Sequence, residues 1–138
     1  MLTGEQIDVW DYWDEEQHND HVGKSVLDMV DEYAETTKQE PDPTLYSDLI
    51  HEEFNEWLET WSYSLGDTEE NLKELSDLVY VIYGYALSRG WDLDEAVRRV
   101  HENNMGRMYQ PDGTIKRRED GKIVKNPDFP KADLSDLL

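Results

Sequence analysis

The chain contains no cysteine, which removes disulfides and thiolate metal ligands and suits a reducing, cytoplasmic setting. It also lacks any apolar run approaching the ~20 residues of a membrane-spanning helix. Its opening stretch, "MLTGEQIDVWDYWDEEQ", has neither the basic start nor the apolar centre of a secretory signal, so a soluble cytoplasmic protein is expected. Positive charge is scarce. Against 33 Asp and Glu there are only 13 Lys and Arg, a formal net charge of −20, which argues against a nucleic-acid-binding surface built on clustered Lys and Arg. With 138 residues, one domain with one modest core is the expectation.

The acidity is unevenly spread. Residues 1–97 hold 26 of the acids but four bases, Lys24, Lys38, Lys73 and Arg89; the remaining nine bases crowd into residues 98–138. Most of these carboxylates serve a solvated, highly soluble surface, and a high-salt habitat fits the same composition. The sharper reading is that a few of them form a divalent-cation site and that the basic tail helps to hold an anionic ligand.

The sequence divides into an acidic, aromatic appendage (1–22), a helical body (23–110) and a tail (111–138). "SVLDMVDEYAETTKQ" opens with Ser25 and Asp28 at capping-box spacing and continues with a helical stripe from Val26 to Ala34. Asp42 and Pro43 then suit the start of a second helix reaching about Tyr63. Gly66 ends it, and Asp67 with Glu70 begins a third, "LSDLVYVIYGYAL", which Gly90 stops near Arg89. Asp92 and Glu95 cap a fourth helix to about Met108. In the tail, Asp120-Gly121 between short alternating runs predicts a small β-hairpin, followed by extended chain. The expected fold is all-α, a four-helix bundle with a hairpin tail. Helices this rich in aromatic residues in so short a chain point to pairing, as a homodimer or homotetramer.

Two acid pairs stand out. At about 100° per residue, Tyr46, Ile50, Phe54, Trp57, Leu58 and Trp61 form one arc of the second helix. Glu53 and Glu56 flank that arc, with Glu52 beyond them. On the third helix, Leu72, Leu75, Leu78, Val79, Ile82 and Ala86 form the arc, with Glu74 and Asp77 on its border. Packed antiparallel, the helices bring the two i, i+3 pairs face to face. Four such carboxylates repel one another unless solvent separates them or a hard cation such as Mg²⁺ or Mn²⁺ sits among them. The residues alone leave those two possibilities about even.

"EEFNE" at 52–56 followed by "ELSD" at 74–77 resembles the EExxE…ExxD pattern of the MazG-like, all-α nucleoside triphosphate pyrophosphohydrolases. The similarity continues through "DLVYVIYGYALSRGWDLDEAVRRVHENNMGRM", whose end matches an HxxNMxK-like motif with Arg107 in place of Lys, and into the tail "DGTIKRREDGKIVKNPDF". The resemblance implies that Glu53, Glu56, Glu74 and Asp77 ligate Mg²⁺, or Mn²⁺ in its stead, and that Glu52 is a further acid near a second metal or an attacking water. It implies cleavage between the α and β phosphates, giving a nucleoside monophosphate and pyrophosphate, with Glu52 or Glu53 as the base. Asn104 and Arg107, near the end of the fourth helix, are candidates to meet phosphate or base, and Lys125 to close over the ligand. Tyr80, one turn after Asp77, can stack on a nucleotide or serve the core. Arg107 equally suits a plain helix-end cation, and Lys122 an exposed strand kept from aggregating.

Three other readings compete. A di-iron carboxylate bundle needs Glu-x-x-His on two helices, and that spacing occurs only at Glu15–His18. A non-enzymatic acidic protein that mimics nucleic acid accounts for the charge but not for acids bordering apolar arcs at matched spacing. Within the superfamily, a phosphoribosyl-ATP pyrophosphohydrolase or a dUTP- or dCTP-specific hydrolase fits equally. His18 and His21 form an incidental acidic-histidine cluster with Glu15, while His51 and His101 border the body.

Overall fold

The computed structural model describes residues 23–64 and 68–138, so the appendage and residues 65–67, with the expected helix break at Gly66 and Asp67, lie outside it. Four long helices carry the body: α1 (Val26–Thr37), α2 (Pro43–Glu59), α4 (Glu69–Ser88) and α5 (Leu93–Arg107). A single helical turn, α3 (Trp61–Ser64), follows α2, and a short 3₁₀ turn spans Ser135–Leu137. The protein is an all-α bundle.

Local chemistry sets the helix ends. The Ser25 hydroxyl accepts from the Asp28 amide at 3.1 Å to start α1, and Asp42 accepts from Thr44 at 2.9 Å ahead of Pro43 in α2. Lys38 ends α1 in the left-handed region (φ 54°), where its amide and that of Gln39 close on the carbonyls of Glu35 and Ala34. Helix α4 begins one residue later than expected, because Thr68 is its cap and accepts from Asn71. Asp92 caps α5 through the Glu95 amide, and Gly90 takes up the positive φ between α4 and α5.

The central interface is between α2 and α4, with α1 packed on α4. Its register is antiparallel. Thr60 accepts from Asn71 near the turn, Glu53 and Asp77 share a cavity midway, and the Tyr46 ring lies on Gly84 at the far end. Val30, Tyr46 and Ala86 are buried, as is Thr60, whose hydroxyl donates to the Trp57 carbonyl. Much of the expected apolar arc stays open: Phe54, Leu58 and Trp61 at the α2–α3 end, and Leu72, Leu75, Val79 and Ile82 along α4.

The tail straps back along α5. The Phe129 ring covers Gly106, the Asn103 amide donates to the Pro130 carbonyl at 2.7 Å, and Arg99 forks onto Asp136. The expected β-hairpin does not form as strands. The chain does reverse at Asp120-Gly121 (Gly121 φ 87°), but pairing stops at one antiparallel bridge, Arg117 to Ile123. The run Lys116-Arg117-Arg118-Glu119 supplies no apolar face, and a lone two-stranded ribbon without one is marginal in water.

At Gly84 the α4 backbone packs directly against the Tyr46 ring of α2, since a Cβ there would overlap it. Replacing a mid-helix glycine by alanine ordinarily gains up to ~1 kcal/mol of helix propensity. Here, displacing a buried tyrosine costs more, about 1–3 kcal/mol. Gly84→Ala is therefore expected to lower the urea midpoint, and an unchanged or raised midpoint would show that the Tyr46 ring repacks freely.

Candidate metal centre

The α2–α4 seam gathers three acids from the two helices. One carboxylate oxygen from each of Glu53, Glu56 and Glu74 lies within 4.8 Å of the others. Glu53 and Glu56 are one turn apart on α2, and Glu74 enters from α4 because the antiparallel register sets it opposite. Each of Glu53 and Glu74 has an Oε2 that is buried and without a hydrogen-bond partner.

Such an arrangement is costly. Burial pushes the Glu53 carboxyl up to about 7, aided by its hydrogen bond to Glu56 and by the charges of Glu56, Asp77 and Glu74. A carboxyl so placed is half protonated near neutrality. The orphaned oxygens and the all-oxygen donor set fit a hard divalent cation such as Mg²⁺ or Mn²⁺, and contain no nitrogen or sulfur that would favour a softer metal.

Asp77 stands beside this group rather than within it. Its Oδ2 meets the Lys73 ammonium at 2.6 Å, and the same ammonium lies 3.4 Å from Glu74 Oε1. Lys73 is a neighbour that the acid pattern did not bring forward, although its i, i+4 spacing to Asp77 is visible in the sequence. Glu52 is exposed, outside the three-glutamate group.

A cavity of about 300 Å³ opens next to the acids. Glu53 and Asp77 line it together with Tyr33, Tyr46, Tyr80, Gln39, Leu49 and Val81. Tyr33 meets Tyr80 edge to face, with centroids 5.8 Å apart. Burial raises the phenols of Tyr46 and Tyr80, with Tyr33 adding to both, so they remain protonated donors. Tyr80 is thus joined to the acids, and Tyr33, Tyr46 and Gln39 are wall residues that helix periodicity alone assigned to core or loop.

The remaining candidates lie elsewhere. Asn104 and Lys125 line a second cavity, about 480 Å³, with Met105, Met108, Lys122 and Ile123, and it shares no wall residue with the first. Arg107 lines neither cavity. Its guanidinium reaches Asn103 Oδ1 at 3.4 Å, its Nε is buried without a partner, and its carbonyl accepts from Asn126. His51 and His101 are exposed, and Glu15, His18 and His21 lie outside the described residues.

Because the Glu53 carboxyl sits higher in the folded chain than its ordinary 4.5, its contribution to stability is fully present below about 4.5 and is lost as pH rises through about 7. Metal-free protein is expected to lose thermal stability across that window, and Glu53→Gln to flatten the loss. Mg²⁺ should raise the melting temperature more at pH 8 than at pH 5.5. Melting curves of both proteins over that range, with and without Mg²⁺, check this; a wild-type profile as flat as the variant's would refute it.

The family model described as phosphoribosyl-ATP pyrophosphohydrolase matches residues 12–104. That span starts within the acidic appendage, includes Glu53, Glu56, Glu74 and Asp77 and stops before Arg107 and the tail. No curated protein matches the chain. With two thirds of its length matched and a four-helix bundle carrying the acids at the expected seam, the chain belongs to the phosphoribosyl-ATP pyrophosphohydrolase family, within the MazG-like all-α superfamily of nucleotide pyrophosphohydrolases.

Proposed function

We propose that the chain is a Mg²⁺-dependent nucleoside triphosphate pyrophosphohydrolase, converting an NTP or dNTP to the monophosphate and pyrophosphate. The observation that carries the reading is the convergence of Glu53, Glu56 and Glu74, with two buried orphan oxygens, on the seam between α2 and α4. These three, with Asp77 adjoining, would hold the cation. When bound, Mg²⁺ or Mn²⁺ supplies charge neutralisation at phosphate oxygens and a more acidic coordinated water.

The chain's own residues do the rest. Glu53 or the exposed Glu52 is the candidate to take a proton from water, whichever carboxylate the cation leaves uncommitted. Tyr80 and its tyrosine neighbours offer an aromatic wall for a nucleobase beside the acids. Asn104, Arg107 and Lys125 are proposed to meet phosphate or base from the α5 end, where the bases are concentrated.

Phosphoribosyl-ATP is the second substrate reading, favoured by the family description itself. Product analysis with ribo- and deoxyribonucleoside triphosphates and phosphoribosyl-ATP separates the two. Release of monophosphate and pyrophosphate is expected to stop with EDTA and to fall at least ~100-fold in Glu53→Gln. A well-folded chain that turns over none of these substrates and binds no Mg²⁺ or Mn²⁺ would return the acidic binding protein as the better reading.

We also propose a homodimer, with a tetramer as the alternative. Leu72, Leu75, Val79, Ile82 and Ala86 repeat at three- and four-residue spacing on α4, and Phe54, Leu58 and Trp61 do so beside them. All but Ala86 remain more than a third exposed. Large apolar side chains left open in this number on neighbouring helices suit an interface between copies of the chain. Light scattering should give a dimer or larger for the wild type and a shift toward monomer for Leu75→Glu/Val79→Glu. A monodisperse wild-type monomer would overturn the assignment.

A further inference from the structure

We propose that Lys73 is the built-in counter-ion of the acid cluster, and that metal loading is an exchange in which a divalent cation displaces the Lys73 ammonium from Asp77 and Glu74. This rests on the metal reading proposed above and adds a residue that competes for the site. The geometry carries it. A single ammonium bridges the two α4 acids, at 2.6 Å from Asp77 Oδ2 and 3.4 Å from Glu74 Oε1, while the other oxygen of Glu74 is buried and orphaned in the cluster. Lys73 thus spans the fourth acid, Asp77, and the three-glutamate group.

Two features make the contact exchangeable. The Lys73 side chain is 64 % exposed and sits on a flexible stem, so the pair can open into water without moving backbone. Exposed Lys–carboxylate pairs contribute little to stability, whereas a hard cation offers several oxygen ligands at once. Lys73 is also the only Lys or Arg between Lys38 and Arg89, so no other base in α2 or α4 can play this part. The acids hold its charge firmly, raising the ammonium above its ordinary range through Asp77 first and Glu74 second.

The test is calorimetric titration of Mg²⁺ and Mn²⁺ into the full chain as wild type, Lys73→Met, Lys73→Gln and Lys38→Met. In a chain of net charge −20, removing any cation strengthens cation binding somewhat, and Lys38→Met reports that general effect. Both Lys73 variants are expected to bind the ions roughly two- to five-fold more tightly than Lys38→Met, with the advantage shrinking at high ionic strength. Their metal-induced rise in melting temperature should exceed the wild type's. Affinity equal to or weaker than Lys38→Met, with wild-type binding intact, would overturn the exchange while leaving the metal site standing. Absence of Mg²⁺ and Mn²⁺ binding in all four proteins would overturn the metal reading and the exchange with it.

Discussion

The constraint on which the rest of the structure depends is the burial of like charge between two apolar helices. Glu53, Glu56 and Glu74 sit where α2 and α4 would otherwise seal a dry seam. Carboxylates gathered in a partly buried spot repel, and desolvation penalises each ionised form. The bundle holds them there because the helices are fixed at both ends. Tyr46 on Gly84 pins one end, and the Thr60–Asn71 hydrogen bond pins the other. The acids are thus kept in place by packing remote from them, as a preorganised site requires.

That arrangement explains a second peculiarity, the thinness of the core. Only Val30, Tyr46 and Ala86 are fully buried apolar residues among those described. A chain that spends its best helix–helix seam on polar groups must find apolar burial elsewhere. Among the described residues, Leu72, Leu75, Val79 and Ile82 along α4, and Phe54, Leu58 and Trp61, stay more than a third exposed. Packing and site geometry are therefore linked in one pair of helices. The tail contributes differently: by clamping α5 through Arg99, Asn103 and Gly106, it sets the only concentrated block of basic residues on a fixed support.

Much of this was legible in the sequence, for identifiable reasons. Ser25, Asp42 and Asp92 announce their helices because a side-chain oxygen at an N-cap is a local signal, independent of tertiary context. The acid pairs were legible because 3.6-residue periodicity places i and i+3 on one flank and the antiparallel register does the rest. What periodicity cannot convey is which partner a side chain selects. Asp77 has the same spacing from Glu74 as Glu56 has from Glu53, yet it turns to Lys73 because a long cationic side chain one helical turn before it reaches it directly. The separation of Asn104 and Lys125 from Tyr80 is equally non-local, set by how α5 and the tail dock. At Asp120-Gly121 the turn signal fixes a reversal, while pairing beyond it is limited to the single Arg117–Ile123 bridge and builds no named strand.

The distribution of charge then becomes intelligible as a division of labour. Of the chain's 33 acids 26 precede residue 98, and nine of its 13 bases lie from residue 98 on. A uniformly acidic protein would repel any phosphorylated ligand from every direction. The nine bases of residues 98–138 lie on α5 and the tail, while Lys73 is the cation that the described residues place against the seam acids. A partly buried acidic seam on α2 and α4 and a tail that carries most of the bases thus divide the charge of one small bundle between separate elements.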